Sequence, residues 1–374
     1  MKKTISTLSI FCALISLFSC SSDDGGSNSN NNNTGWENPG SSAFGKFVEI
    51  PGIDSQAGTG AALDLKTSNE GLYMHVSKYT DNTDWIYRLQ QGGASPSWIF
   101  HEQPELYFHW APGRPVSENE NFFEIFFHTL YTNGWVSINT GLPALLEEDN
   151  PPGSGSSIML VDNSTGAYKW LFEGSTVKIQ QNNDTGIFDV ICTLPTVGGV
   201  SLAEADPFDS IVWAAAGNIL YKITASGQVT SFNVASFNDP NFPLNSIEKI
   251  RFSYDPSHKD VYFRCQNKIF KVADGNTLSL FNTIEDANFL GGDFCLDNSY
   301  LYTSNGTKKH LFSSSVTNII PDPPTTTNQQ VLLDYYSQVS AFQSGQIETS
   351  KDPSNPNLYI LSSDKILVVP KSRN

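Results

Sequence analysis

From about Phe44 to the end of the 374-residue chain, apolar positions come in short aromatic and β-branched runs parted by Gly, Pro, Asn and Asp. No helical period of apolar residues is sustained for three turns, and short runs bounded by turn formers are the pattern of strands. The chain therefore reads as all-β. Three segments, residues 206–223, 255–272 and 352–369, align without a gap over eighteen positions. Each opens Asp-Pro: Asp206-Pro207, Asp255-Pro256 and Asp352-Pro353. Each has an apolar residue and then an aromatic at its seventh and eighth positions: Val212-Trp213, Val261-Tyr262 and Leu358-Tyr359. Five residues later come Asn218, Asn267 or Asp364, followed by an apolar run. Asp-Pro pre-sets a turn, and Asn or Asp tolerates the left-handed backbone of a tight hairpin. The repeated unit is thus turn, strand, hairpin, strand.

Weaker copies carry Leu72-Tyr73 and Leu301-Tyr302. With the aromatic as phase marker, the steps from Trp213 to Tyr262, Tyr302 and Tyr359 are 49, 40 and 57 residues. Tyr73 lies 140 residues before Trp213, room for three steps, with Phe126 and Tyr168 near the two intermediate marks. This spacing predicts seven units, with six or eight also compatible. Repeats of this length with three or four strands each are those of β-propeller blades, whereas a β-helix repeats in about half that length. Residues 44–374 are therefore expected to form a single β-propeller. Phe44 to Ile50 should complete the last blade, which is formed by residues 347–370. Tandem sandwiches, the rival architecture, would repeat at about 100 residues. Their best boundary would be Glu147 to Ser157, around Pro151-Pro152-Gly153.

Ahead of this domain, Lys2 and Lys3 precede an apolar stretch from Leu8 to Leu17 and the small residue Ser19. Residues 1–19 have the form of a secretory signal and are too short to span a bilayer. A cysteine at position 20, directly after Ser19, resembles the lipobox of bacterial lipoproteins, and Ser21-Ser22-Asp23-Asp24 resembles the export signal of Bacteroidota surface lipoproteins. That resemblance implies a lipidated (palmitate-bearing) Cys20 and an outer-membrane, lipid-anchored protein facing the outside of the cell. Residues 20–43, rich in Ser, Asn and Gly, offer almost nothing to bury and read as a flexible tether.

Charge narrows the partners. Removing residues 1–19 takes away two lysines and no acid, leaving 20 basic against 38 acidic residues, a net of −18. Such a surface has no basic stripe for phosphates, so nucleic acid is not an expected partner. Only five arginines occur, at 88, 114, 251, 264 and 373, which argues against an anion clamp built from several of them. Cys192, Cys265 and Cys295 remain after Cys12 and Cys20 are set aside. They allow at most one disulfide, Cys265 to Cys295, and read instead as small buried strand residues.

Motifs of chemistry are sparse. His101-Glu102-Gln103-Pro104-Glu105 lacks the second histidine of a zinc protease, and Pro104 would break the helix carrying it. No Gly-x-Ser-x-Gly elbow occurs, and Asp184-Thr185-Gly186 lacks the threonine and tryptophan of the sialidase hairpin box. His101, His109 and His128 with Glu102, Glu105 and Glu124 could meet at a metal, but nothing in their spacing enforces it, and no metal site is expected. No cofactor is expected either. The acidic turns Asp81 to Asp84 and Asp162 to Thr165 are where calcium would fit, without the glycine and final glutamate of a calcium loop. Aromatic residues give the stronger signal. Trp85, Trp98, Trp110, Trp135 and Trp170 fall within 86 residues. Trp110 and Trp135 border turns, with His109 and Arg114 beside the former, so these four form the expected ligand-binding set.

These observations point to a monomeric, non-enzymatic binding module for a glycan or a surface protein. The alternatives are a polysaccharide hydrolase or lyase, with carboxylates drawn from Asp64, Glu124, Asp209 and Asp293, and a structural partner of an outer-membrane transporter.

Overall fold

A computed structural model describes most of residues 44–371, with its longest breaks at 111–123 and 146–157; side chains between 77 and 167 lie outside the description. Residues 1–43, including Cys20, lie outside the described residues.

The described residues form seven antiparallel four-stranded sheets, the blades of a β-propeller. A first strand, β1 (Lys46–Glu49), precedes the blades. Blade 1 runs β2 (Gly60–Ser68), β3 (Gly71–Lys78), β4 (Thr83–Leu89), β5 (Ser97–Glu102). Blade 2 is β6 (Tyr107–Trp110), β7 (Glu124–His128), β8 (Asn133–Ser137), β9 (Pro143–Leu145), and blade 3 is β10 (Ile158–Asp162), β11 (Tyr168–Glu173), β12 (Thr176–Gln181), β13 (Asp189–Thr193). Blade 4 is β14 (Leu202–Ala205), β15 (Ile211–Ala216), β16 (Ile219–Thr224), β17 (Val229–Asn233). Blade 5 is β18 (Ile247–Phe252), β19 (Val261–Cys265), β20 (Lys268–Ala273), β21 (Thr277–Thr283). Blade 6 is β22 (Phe294–Leu296), β23 (Tyr300–Thr303), β24 (Thr307–His310), β25 (Val316–Asn318). A helix, α1 (Gln329–Ser344), follows. Blade 7 holds β26 (Gln346–Thr349), β27 (Asn357–Ser362), β28 (Lys365–Pro370). Its fourth, outer strand is β1, paired antiparallel to β28 from Lys46↔Val368 to Glu49↔Lys365. The N-terminal strand therefore closes the ring, completing blade 7 beside the C-terminal strand.

All seven phase-marker aromatics fall on the second strand of a blade. In blades 4 to 7 the apolar–aromatic pair is buried, and its two members face opposite ways because neighbours on a strand alternate between faces. Val212 packs toward blade 3 and Trp213 toward blade 5. Val261 and Tyr262 split in the same way between blades 4 and 6. Leu301 and Tyr302 split between blades 5 and 7, and Leu358 and Tyr359 between blades 6 and 1. One dipeptide per repeat thus cements two blade interfaces, which is why it recurs. Across the hairpin the aromatic faces a lysine in three successive blades: Trp213↔Lys222, Tyr262↔Lys271 and Tyr302↔Lys308. Each ammonium lies about 6 Å from its ring, within cation–π range.

Two expectations are corrected by the fold. Asn218 and Asn267 do not adopt the left-handed conformation; the residue before each does, Gly217 at φ +59° and Gln266 at φ +54°. A two-residue hairpin with only its first residue at positive φ follows the type II′ pattern, which wants glycine first. The second correction is α1, a 16-residue helix that the apolar pattern does not predict. It docks by Tyr335, Ala341 and Phe342, with Phe342 edge-on to Phe44 at 5.4 Å. The thiols Cys192, Cys265 and Cys295 are all unpaired, so the Cys265–Cys295 bridge does not form.

Candidate functional site

The first strand of each blade is the inner one, and these strands line the axis of the propeller. Near their N-terminal ends, on the face that also carries the C-terminal end of α1, lies a cavity of about 400 Å³. Its walls are charged. Glu204 comes from β14, Glu248, Lys249 and Arg251 from β18, Arg264 from β19, Asp293 from the approach to β22, and Gln346 from β26.

A chain of ion pairs forms the floor. Lys249 Nζ lies 2.7 Å from Asp293 Oδ2 and 2.9 Å from Glu348 Oε1. Arg251 Nη2 donates to the same Glu348 oxygen, while its Nη1 stands 3.7 Å from Glu204 Oε1. Asp293 Oδ2 also accepts from the Ile347 backbone N–H at 3.0 Å, and Lys249 Nζ donates to the Ile347 carbonyl at 3.2 Å. Blades 5, 6 and 7 are thereby tied across the axis. Gln346 ties blade 7 to blade 1, its amide exchanging two hydrogen bonds with the Leu65 backbone at 3.1 and 3.0 Å. Nearer the solvent, Arg264 reaches from β19 to Glu248 Oε2 at 2.6 Å and to the carbonyl of Gly292.

Burial by itself would raise the Asp293 carboxyl. The charge and hydrogen bond of Lys249, with Arg264 and Arg251 adding to them, hold it instead below the ordinary aspartate range. Asp293 is therefore ionised at neutral pH and has no proton to give. The Asp293 and Glu348 oxygens that share Lys249 are at most about 5.6 Å apart, the sum of their two distances to Nζ. That bound includes the spacing of a retaining glycosidase's paired carboxylates, but such a pair needs one member protonated.

Of the carboxylates named from sequence, Asp293 is in the cavity, while Asp209 lies at the other end of the blades, where Lys259 binds both its oxygens at 2.8 and 2.9 Å. The side chains of Asp64 on β2 and Glu124 on β7 lie outside the described residues, as does Arg114. His109 and Trp110 end β6, and Trp135 lies on β8. Strand register sets His109, Phe126 and Trp135 in one row and Trp110 with Ile125 in the next. Their side chains lie outside the described residues. Trp170 and Trp213 are fully buried between blades.

Sequence reasoning passed over Glu204, Lys249, Arg251 and Glu348. A signal was present: Glu204, Lys249, Asp293 and Glu348 recur one per repeat, at or just before the apolar inner strand. The arginine count also misled, since two of the five arginines meet in this one cavity.

No family model and no curated protein matches the chain. Solved structures do. A catalytically inactive virginiamycin B lyase from Staphylococcus aureus, with quinupristin, superimposes with a TM-score of 0.52 at 14% identity, covering 87% of this chain and 99% of that one. The Cps50 (Swd1) β-propeller domain of Myceliophteria thermophila gives 0.52 at 12% identity, covering 83% and 97%. At this identity the likeness establishes the fold, a β-propeller, and no more.

Proposed function

We propose that this protein is a cell-surface lipoprotein whose propeller is a non-enzymatic binding module, and that the axial cavity receives the end of a glycan. The observation that carries this reading is the state of the cavity. Its buried carboxylates are engaged by Lys249 and Arg251, and Asp293 is held ionised. Catalysis of glycoside hydrolysis requires a raised, protonated acid, whereas binding requires only fixed donors and acceptors. A hydroxyl both donates and accepts, so a diol can bridge a carboxylate and a neighbouring guanidinium or ammonium without disturbing the charge balance. The volume is within the usual range of small-ligand sites, about 300–1,000 Å³. The fold does not decide the matter, because one fold hosts many unrelated functions.

The test is to apply the protein to a panel of immobilised glycans and to follow the chain length of the same glycans in solution. Retention without shortening or unsaturated products is the expected outcome. Cleavage would overturn the reading, and absence of retention on every glycan would move the function to a structural role beside a membrane transporter. Trp110→Ala and Trp135→Ala in the same panel decide whether blade 2 contributes a second contact. The lipid anchor is tested by mass measurement of the N-terminal fragment, with Cys20→Ala expected to release the protein from the cell.

A further inference from the structure

Arg264 is fixed at two corners and only half-paired along one edge. Its Nη1 donates to the Gly292 carbonyl, and its Nη2 meets Glu248 Oε2 at 2.6 Å. Its Nε–H is buried and has no acceptor among the described residues. The Nε–H and Nη2–H bonds lie side by side on one edge of the guanidinium, the fork that takes a carboxylate through two parallel hydrogen bonds. Glu248 fills only half of that fork. A buried donor without an acceptor is costly, and the hydrogen bond to the Gly292 carbonyl helps to hold Arg264 in this pose. Glu248 itself is the loosely held partner. Its side chain is 39% exposed, against 11% or less for Glu204, Asp293 and Glu348.

We propose that the axial cavity recognises a carboxylate on its ligand. The ligand's carboxylate takes the Nε and Nη2 edge of Arg264, and Glu248, which stands in for it in the free protein, turns out to solvent. Charge balance selects a monoanion. With Glu248 withdrawn, Glu204, Asp293 and Glu348 face Lys249, Arg251 and Arg264, three charges of each sign, and one incoming negative charge restores the balance of the free state. A dianion such as a phosphate monoester would exceed it. The inference rests on the cavity being the ligand site and adds the chemistry of the ligand. A uronate residue of a glycan and the carboxyl terminus of a peptide both offer that group.

Calorimetric titration of the full chain separates these cases. The probes are a galacturonate trisaccharide, its neutral galactose counterpart, galactose phosphate, and an acetylated dipeptide with its C-terminus free or amidated. The expected result is binding of the uronate at least tenfold tighter than the neutral sugar. Glu248→Gln should tighten it severalfold by removing the competing charge, and Arg264→Lys should weaken it at least tenfold while the melting temperature is retained. If Arg264→Lys does not fold, the Glu248→Gln comparison carries the test. Equal binding of neutral and acidic sugars, unmoved by Glu248→Gln, would overturn the carboxylate site and leave the glycan reading standing. Binding of the free dipeptide and not of the uronate would keep the carboxylate site and remove the glycan. Preference for galactose phosphate would overturn the monoanion assignment, and no binding of any probe would overturn both proposals.

Discussion

Single residues in this propeller carry work that looks like simple turn chemistry. Asp206 caps its turn through Oδ1, which accepts from Phe208 N at 2.9 Å and Asp209 N at 3.1 Å, and holds the buried Trp213 Nε1 through Oδ2 at 3.2 Å. Asp297 repeats the device in blade 6, binding Ser299 N, Tyr300 N and the Tyr302 hydroxyl. The repeated aspartate was legible as a turn former, but its second bond was not, because it depends on where the aromatic ring lands after folding. Gln266 shows the opposite case, a local rule broken. Blades 3 and 4 place Gly174 and Gly217 at the first position of the second-to-third-strand hairpin, and blade 5 puts glutamine there at φ +54°. A left-handed non-glycine residue costs about 1 kcal/mol or somewhat more, partly offset by the greater freedom glycine has in the unfolded chain. Gln266→Gly is therefore expected to raise the urea midpoint, by about 0.5–1 kcal/mol in stability. Asp293 yields a pH prediction. Its folded pKa is depressed below the unfolded value, so its contribution is complete above about pH 4 and is lost as pH falls through the folded pKa. The stability gap between the protein and Asp293→Asn, measured by urea unfolding, should be constant above about pH 5 and shrink below about pH 4. Its plateau should fall short of the roughly 3–5 kcal/mol of an orphaned buried charge, since Lys249 keeps Glu348.

At the scale of elements, strands were legible and the helix was not, for one physical reason. A blade strand is buried on both faces by its neighbours, so each repeat must spend an apolar pair at a fixed phase, and that pair survives as pattern. Helix α1 is buried along only part of its length, by Tyr335, Ala341 and Phe342, while Val331, Leu333 and Tyr336 are exposed. Apolar residues on both sides blur the helical period. Its ends are written more clearly: the Asn328 side chain accepts from Gln330 N at 3.0 Å, and Gly345 closes the helix with its N–H on the Ala341 carbonyl. Phe342→Ala should cost about 3–5 kcal/mol, whereas Leu333→Ala, at 52% exposure, should stay within about 0.5 kcal/mol. Thermal unfolding of the two variants checks the docking of the helix. Gly345→Ala should also destabilise, by about 1–3 kcal/mol, because a Cβ there would lie 2.4 Å from Ile360 Cγ2 and 2.5 Å from the Leu361 carbonyl. The charged cavity was hidden from the sequence by distance. Glu204, Lys249, Asp293 and Glu348 are scattered over four repeats, and only the ring brings them within a few ångströms of one another.

For the whole molecule the decisive contact is the seam, since blade 7 is built from the two ends of the domain and everything between them is one closed loop. Strand β1 donates its edge to β28, and Ile50 N–H reaches the Asp364 carbonyl at 3.1 Å. Because hydrogen-bonded and non-bonded pairs alternate along an antiparallel ladder, Glu49 and Lys365, one step along, form a non-bonded pair, whose close Cα atoms suit a disulfide. At present they make an ion pair of 2.8 Å with both side chains well exposed, worth at most about 1 kcal/mol, so replacing both removes little. A bridge between Glu49→Cys and Lys365→Cys would close a loop of 317 residues, for which chain entropy predicts a stabilisation of about 6 kcal/mol. The native thiols should not compete. Cys265 and Cys295 are buried and held protonated, the former with its pKa pushed up to about 11. Under oxidising conditions the double variant should melt well above the parent, and reduction should return it to the parental temperature. An oxidised, verified bridge that left the melting temperature unchanged would mean that strain in the native seam cancels the entropy removed from the unfolded chain.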